Sequence, residues 1–201
     1  LSGEGSAVAT RMAVEDFGAA EKGLNVEVVS ADHQNKPDVG SNIAREWYEA
    51  DGVHAIVDVP TSSVALAVAD ITADENGVFL ISGAGSTSLT REQCQPTTVH
   101  WTYDTAALAN GTGGAVTNAG GKKWFFLTAD YAFGHSLEEN TMAVVRDNGG
   151  EIMGSVRHPF PAQDFSSYLL QAQGSGADVI GLANAGSDTV NAIKQASEFG
   201  I

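Results

Sequence analysis

Two short turns rich in serine, threonine and glycine could hold a small polar ligand. The first serine turn (60–63) and the second serine turn (83–88) each follow an apolar, strand-like run and open into a helix-like one. Unpaired backbone N–H groups and the helix dipole at such turns favour a carboxylate or another small anionic or polar group. Ligands of open α/β sheets lie beyond the carboxyl ends of the strands. The candidate ligand-binding residues here are Ser62, Ser63, Ala84, Gly85 and Ser86, with plain helix capping as the alternative role of the serines.

Two further turns, in the second half of the chain, carry other candidates. Tyr131 and Phe133 follow a strongly apolar strand, and their rings could cover an apolar group or stack on a ligand ring. The alternative for Phe133 is that it begins a helix and packs in the core. Asn184 follows the last predicted strand and could hydrogen-bond a ligand. Capping of the last helix by Ser187 or Asp188 is the alternative explanation for that turn.

Strand-like and helix-like segments alternate along almost the whole chain. Helices between successive strands imply right-handed crossovers and parallel sheets. We therefore expect an α/β fold, with residues 1–103 as a first ligand-binding lobe and 104–201 as a second. Residues 1–6 are typical of a turn. The predicted strands are 24–31, 53–59, 77–82, 97–101, 122–128, 151–157 and 177–182, and the predicted helices are 6–22, 37–48, 62–75, 104–119, 133–148, 163–174 and 187–199.

The composition excludes several classes of protein. The 201 residues carry a formal net charge of −15 with a sequence pI near 4.4, so the clustered Lys and Arg that nucleic acid requires are missing. No apolar stretch approaches the roughly 20 residues that span a bilayer. Cys94 is the only cysteine, so an internal disulfide cannot form. A disulfide partner outside this sequence and a free, partly buried thiol are both compatible with it.

Sequence signatures of catalysis are missing. The chain has no G-x-S-x-G elbow and no P-loop, and the glycine-rich turn 83–88 departs from the dinucleotide fingerprint at Ser88. The five histidines are scattered without metal-ligand spacing. Asp58 and Asp130 follow strands, but no base or nucleophile accompanies either at a useful spacing. We therefore expect a binding protein without cofactor or metal, with a hydrolase or dehydrogenase of α/β fold as the less favoured alternative.

Six segments of the chain carry a further signal through their order and spacing. They are S-G-E-G-S at 2–6 with A-V-E-D-F-G at 13–18, D-x-x-N-K-P-D-V-G at 32–40, V-P-T-S-S-x-A-L-A-V at 59–68, I-S-G-A-G-S-T-x-L-T at 81–90, A-D-Y-A-F-G-H-S at 129–136 and A-D-V-I-G-L-A-N-A-G at 177–186. With these segments the chain resembles, over essentially all 201 residues, the periplasmic substrate-binding proteins of ABC transporters, in the leucine/isoleucine/valine-binding branch. The resemblance implies the type I two-lobed fold, a periplasmic location, and a ligand that the lobes enclose before docking on a membrane permease.

The same resemblance assigns roles to residues. The family's two first-lobe turns hold an amino acid's carboxylate and ammonium, and they match the two serine turns. The family's second-lobe aromatic matches Phe133, with Tyr131 beside it, whereas a second family aromatic falls near Ala185 and Gly186. That departure leaves an amino acid, an amide or an aromatic carboxylate as ligand. We expect a monomeric fragment of a longer protein whose signal sequence lies outside this chain, with a ligand-sensing regulatory or receptor domain of the same fold as the alternative.

Overall fold

The computed structural model describes residues 2–201. The chain forms two compact units, each with a three-stranded parallel sheet. The first unit contains the residues up to Ala84 together with Gln93–Thr102, and the second contains Gly85–Glu92 and Tyr103–Ile201. The short segment Gly85–Glu92 therefore groups with the second unit, although it follows a strand of the first.

The first unit has its parallel strands in the order β1-β2-β3. One face of this sheet is buried through Ile56, Phe79 and Ile81, and helix α3 packs against β2. Its elements are helices α1 (Ser2–Phe17), α2 (Pro37–Glu49) and α3 (Ser62–Asp74), a 3₁₀ turn at Ala20–Lys22, and strands β1 (Ala55–Val57), β2 (Val78–Ile81) and β3 (Thr98–His100).

Helices α2 and α3 pack closely because a glycine lies at their contact. A Cβ atom on Gly40 would lie 2.4 Å from Cγ1 of Val64, well inside van der Waals contact. Pro37 occupies the first turn of α2, where its fixed φ suits a helix and its missing N–H has no helical partner to lose. The predicted helix at 37–48 is confirmed.

The second unit has its strands in the order β5-β4-β6, again all parallel. Asp104 caps the helical run that begins at Thr105, because its Oδ1 accepts the N–H of Ala107 at 2.7 Å. The elements are a 3₁₀ turn at Thr87–Thr90, helices α4 (Thr105–Leu108), α5 (Ala115–Asn118), α6 (Ala132–Asp147), α7 (Ser166–Gly174) and α8 (Ser187–Glu198), a π-helix at Ala109–Gly114 between α4 and α5, and strands β4 (Lys123–Ala129), β5 (Glu151–His158) and β6 (Val179–Ala183).

Strand β4 is central to the second unit and is buried on both faces. Trp124 and Phe126 stack on one face, with ring centroids 5.8 Å apart, and pack with Val145. Phe125 and Leu127 belong to the opposite face, in a core with residues of α7 and α8. This burial on both faces is typical of parallel sheets covered by helices and explains the continuous apolar run W-F-F-L.

Several predicted elements differ from the structure. The turn expected at 1–6 is wrong, because α1 begins at Ser2; Leu1 lies outside the described residues. The strand expected at 24–31 is also wrong. Leu24, Val26 and Val28 alternate as in a strand, but Leu24 and Val26 are more than 40% exposed, and no neighbouring strand pairs with this segment within residues 2–201. A strand needs a hydrogen-bonded partner, which alternation alone cannot supply.

Two predicted helices have different details. The helix expected at 104–119 contains the π-helical stretch in its middle, where three glycines lie within six residues. The helix expected at 163–174 begins only at Ser166, and Asp164 accepts the N–H of Ser166 at 2.9 Å before the helix.

Cys94 is exposed, so the expectation of a partly buried thiol is wrong. None of the helices described here is long and apolar enough to cross a membrane.

Candidate functional site

The first serine turn leads from β1 into α3. Ser62 is the first residue of α3 and is buried, whereas Ser63 is half-buried. Thr61 precedes them but does not cap the helix; its hydroxyl donates to Oδ1 of Asn35 at 2.6 Å. The hydrogen bond therefore joins the turn to the loop before α2.

The second serine turn follows β2, the strand beside β1, and is divided between the two units after Ala84. Ala84 belongs to the first unit and is fully buried, and its carbonyl oxygen accepts the Nε2–H of His100 at 2.7 Å. Because β1 and β2 are adjacent and parallel, Ser62, Ser63 and Ala84 all follow the carboxyl edge of one sheet. This is the edge at which sequence reasoning expected them.

Gly85 and Ser86 belong to the second unit. The Gly85 carbonyl accepts the N–H of Thr105 at 2.8 Å, and a Cβ atom on Gly85 would lie 3.0 Å from the Tyr103 ring and 3.1 Å from the Phe133 ring. The missing side chain lets both rings lie this close to the backbone. Ser86 is buried, and its hydroxyl oxygen accepts the N–H of Ser88 at 3.4 Å, as a cap of the 3₁₀ turn.

A buried polar cluster fixes this segment within the second unit. The hydroxyl oxygens of Thr105 and Ser136 are 2.7 Å apart, and that of Thr87 is 3.0 Å from Ser136. The amide of Asn140 donates to Oγ1 of Thr105 at 3.0 Å. We call these four residues the Thr87 cluster. Buried hydroxyls that satisfy one another rigidify their surroundings, so the residues on either side of the cluster are held in place.

Aromatic rings gather at the carboxyl edge of the second sheet. Tyr131 stacks on Phe160, with centroids 4.2 Å apart and planes 7° from parallel, and its ring centroid is 6.0 Å from that of Phe133. Burial raises the pKa of Tyr131 well above its usual range, and the charges of Asp188 and Tyr103 add to the effect. The hydroxyl of Tyr131 is therefore a neutral hydrogen-bonding group at physiological pH.

Asn184 lies in a buried chain of hydrogen bonds. Its Oδ1 accepts the hydroxyl of Thr189 at 2.7 Å, and its Nδ2 donates to Nε2 of His158 at 3.4 Å. His158 then donates its Nδ1–H to the carbonyl of Pro159 at 2.9 Å. Both ends of the Asn184 side chain are thus engaged with the protein. Its role as a ligand contact stays a prediction.

Asp188 is fully buried beside this chain. Its Oδ2 accepts the N–H of Ala162 at 3.2 Å and lies 3.8 Å from Nδ1 of His158. Burial raises the pKa of Asp188, while the Ala162 N–H and His158 oppose that rise. The expectation that Ser187 or Asp188 caps the last helix is wrong, because Gly186 is the N-cap residue of α8 and no side-chain hydrogen bond caps it. The hydrogen bond of Asp188 goes instead to Ala162, in the loop after β5.

The acidic residues weighed for catalysis lie in different settings. Asp130 is exposed, with Oδ1 2.8 Å from Nε2 of His135, and Asp58 is buried in the turn after β1. Within residues 2–201, no group of three or more His, Cys, Asp or Glu side chains is arranged to hold a metal ion.

Sequence reasoning missed three residues around the candidate site: Tyr103, Phe160 and His158. Tyr103 contacts Gly85, Phe160 stacks on Tyr131, and His158 orients Asn184. Their position was the signal that could have found two of them. His158 ends β5 and Phe160 follows it, and β5 lies in the same parallel sheet as β4 and β6, whose following turns carry Tyr131 and Asn184.

Comparison with known proteins agrees with this architecture. The model of the periplasmic binding protein family matches residues 1–201, and the chain therefore belongs to that family. Its α/β fold is the type I periplasmic binding protein fold expected from the sequence.

Three solved structures are similar to the chain. A periplasmic binding protein from Burkholderia mallei is 56% identical, with a TM-score of 0.93 over 98% of this chain and 52% of its own. A branched chain amino acid ABC transporter periplasmic ligand-binding protein from Burkholderia xenovorans LB400 is 39% identical, with a TM-score of 0.76 over 99% of this chain and 53% of its own.

The third structure is a solute binding protein of an ABC transporter from Rhodopseudomonas palustris BisB5 in complex with 3,4-dihydroxy benzoic acid. It is 25% identical, with a TM-score of 0.87 over 98% of this chain and 55% of its own. The resemblance to the branched-chain amino acid branch of the family is thus confirmed. The chain spans about half the length of the curated relatives it matches.

Proposed function

We propose that this chain is part of an extracytoplasmic solute-binding protein that captures a small amino-acid-like or carboxylate ligand and delivers it to an ABC importer. The observation that carries the proposal is the packing of Tyr103 and Phe133 on the bare backbone of Gly85, next to the Tyr131–Phe160 stack. Serine hydroxyls and aromatic rings suit a ligand with a polar head and an apolar body. No reacting group needs to be supplied for such a role.

Each compact unit supplies one set of candidate contacts, and we assign the two units to the two ligand-binding lobes. Ser62, Ser63 and Ala84 belong to the first unit, and Gly85 and Ser86 belong to the second. These five residues hold the polar head of the ligand. Tyr131 and Phe133 cover its apolar part, and Asn184 borders the same edge of the second sheet.

The relatives narrow the chemistry of the ligand. One relative is a branched chain amino acid ABC transporter periplasmic ligand-binding protein, and another is in complex with 3,4-dihydroxy benzoic acid. A branched-chain amino acid and 3,4-dihydroxy benzoic acid each join a carboxylate to a hydrocarbon group. An amide of similar shape would offer an uncharged oxygen to the same donors. The proposed partners are such a small molecule and a membrane permease. The proposed location is the periplasm, and the proposed acting form is a monomer.

The energy required is modest. A micromolar dissociation constant corresponds to about −8 kcal/mol. A few hydrogen bonds to the serine turns and one buried apolar group can supply this after the costs of association are met. A ligand that binds one conformation of the protein more tightly than the other shifts the population toward that conformation. The proposed role requires no more than this difference in affinity.

A thermal-shift screen of the full-length protein tests the function. The panel contains L-leucine, L-isoleucine, L-valine, L-phenylalanine, leucinamide, benzoate and 3,4-dihydroxybenzoate, with glucose and AMP as compounds of other classes. A ligand that binds only the folded state raises Tm by mass action. We expect at least one carboxylate or amide to raise Tm and glucose and AMP to leave it unchanged. The opposite pattern, or no shift with any compound, would contradict the proposal and favour a sensory domain.

The serine assignment has its own test. Ser86→Ala should weaken binding of the panel compound with the largest shift by about 1–3 kcal/mol, because a buried polar partner is lost. Ser167→Ala, an exposed serine on α7, is the matched control. Calorimetry that gives the same Kd for Ser86→Ala, Ser167→Ala and wild type would remove Ser86 from the site.

A further inference from the structure

The turn between β1 and the first serine turn has an unusual backbone. Asp58 and Val59 have φ values of +71° and +53°, in the left-handed region. Asp and Asn reach this region more readily than other residues with a side chain, whereas a β-branched residue such as Val is a true outlier there. Such a turn persists only where surrounding contacts hold it, and such conformations gather at ligand sites.

The side chain of Asp58 supplies one of these contacts. It is buried, and its Oδ1 accepts the hydroxyl of Ser82 at 3.0 Å, while its N–H donates to the carbonyl of Leu80 at 2.9 Å. Both partners belong to β2 or to the residue directly after it. Asp58 thus ties the turn after β1 to the turn after β2, and these are the two turns that carry Ser62 and Ala84.

Gly83 makes the tie possible. A Cβ atom at Gly83 would lie 2.6 Å from Oδ1 of Asp58 and 3.1 Å from Cα of Pro60. Any side chain at position 83 would therefore push away the carboxylate or the residue that leads into the first serine turn. The carboxylate of Asp58 therefore packs directly against the backbone of Gly83.

Only one oxygen of Asp58 is used. Oδ2 is buried and accepts no hydrogen bond from the residues that the structure describes. A buried carboxylate normally has both oxygens satisfied, and an unsatisfied one is costly. The turn therefore requires two properties of residue 58: one acceptor oxygen on its side chain and a backbone that tolerates positive φ. An asparagine would supply both.

We propose that Asp58 is a positioning residue for ligand binding: through Ser82 and Gly83 it holds the first serine turn in place beside Ala84, within the first unit. The inference rests on the proposed function, since it assumes that Ser62 and Ala84 contact the ligand. Asp58 itself does not need to touch the ligand. Its effect on affinity passes through the backbone that carries Ser62 and Ser63.

The test uses the full-length protein and calorimetry with the panel compound that gives the largest thermal shift. Asp58→Ala, Ser82→Ala and Gly83→Ala should each weaken binding by about tenfold or more, and Asp58→Ala combined with Ser82→Ala should weaken it no further than Asp58→Ala alone. Asp58→Asn should remain within about threefold of wild type, because it keeps the acceptor and the backbone preference. All titrations are made at a temperature where each variant is folded.

Tyr48→Phe is the control for a merely structural loss. It removes a hydroxyl that contacts Oγ1 of Thr72 at 3.3 Å in the same unit, away from both turns. It should lower Tm and leave Kd unchanged. Wild-type affinity in folded Asp58→Ala and Ser82→Ala would overturn the inference, and so would an equal loss in Asp58→Asn and Asp58→Ala.

A second measurement does not depend on any ligand. Amide hydrogen exchange of residues 59–63 should accelerate in Asp58→Ala and Ser82→Ala and stay close to wild type in Asp58→Asn. If wild type binds no panel compound, the proposed function fails, yet exchange still decides whether Asp58 holds the turn. Unchanged exchange in Asp58→Ala would overturn the positioning role by itself.

Discussion

Nδ2 of Asn184 donates to Nε2 of His158 across 3.4 Å, and this contact joins two buried side chains at the carboxyl edge of the second sheet. With Nε2 facing the Asn184 amide, Nδ1 is the ring nitrogen of His158 that donates to the carbonyl of Pro159. Thr189 fixes the orientation of the amide by donating to Oδ1 of Asn184. The turn after β6 and the turn after β5 are joined by this chain.

Asn184→Ala should therefore destabilise the protein. It leaves Nε2 of a buried histidine and the hydroxyl of Thr189 without partners, and such losses cost about 1–3 kcal/mol. Urea denaturation of wild type and variant measures the difference. The control is Asn110→Ala, which removes an exposed amide that bonds to the carbonyl of Ala106. Equal free energies of unfolding for wild type and Asn184→Ala would show that the chain of hydrogen bonds is not formed.

Gly134 is a second position where the structure makes a sharp demand. A Cβ atom there would lie 2.0 Å from the carbonyl oxygen of Ala129 and 3.0 Å from that of Ala183. Gly134→Ala cannot be accommodated without moving α6 away from the sheet, and overpacking of this kind costs about 1–3 kcal/mol or more. Thermal unfolding should show a lower Tm.

Gly111→Ala is the matched control for that substitution. Gly111 lies in a helical segment of the same unit, and a Cβ atom there would meet nothing within 4 Å. It should leave Tm unchanged or raise it, since alanine favours helix over glycine by about 1 kcal/mol. A Tm for Gly134→Ala as high as that for Gly111→Ala would contradict the close approach of α6 to β4.

The architecture was accessible from the sequence because its signals are local. The run W-F-F-L is buried on both faces of β4, and the helical spacing of α6 is closed by Gly149, which has a φ of +74°. Those patterns depend on one element at a time. The strand expected at 24–31 failed for the converse reason, since pairing depends on a neighbour that alternation does not reveal.

The candidate site was accessible only in part. The rule that ligands gather at the carboxyl ends of parallel strands led to Ser62, Ser86 and Tyr131. The same rule could not indicate that Phe160 stacks on Tyr131, or that Ser136 and Asn140 hold the segment after Gly85. Those contacts join residues far apart in the chain, and no spacing in the sequence announces them.

The Tyr131–Phe160 stack gives a prediction about affinity. Phe160→Leu keeps an apolar side chain but removes the parallel ring, and such aromatic pairs contribute about 0.5–1.5 kcal/mol beyond burial. With Tyr131 less firmly held, we expect Kd for the best panel compound to rise roughly two- to tenfold. Phe17→Leu, at an exposed ring on α1, is the control. Calorimetry that gives equal Kd values for both variants would separate the stack from binding.

Asp188 predicts how stability changes with pH. Its ordinary pKa is 3.8, and burial raises the pKa in the folded protein. The folded state therefore binds this proton more tightly than the unfolded state. The contribution of Asp188 is fully present below pH 3.8 and is lost as the pH rises through the raised folded pKa.

Asp188→Asn removes this titration while keeping an oxygen that can accept the Ala162 N–H. The free energy of unfolding of wild type minus that of Asp188→Asn should therefore fall as the pH rises from 3.5 toward 7. The pKa of Asp188 in the folded protein sets the pH at which this fall ends. Urea denaturation at intervals of about half a pH unit measures the difference. Asn110→Ala, which removes an exposed amide and no ionisable group, should give a difference that does not depend on pH. If the difference for Asp188 instead rises with pH, the favourable charge interaction with His158 outweighs the cost of burial, and the direction assigned to the pKa of Asp188 is wrong.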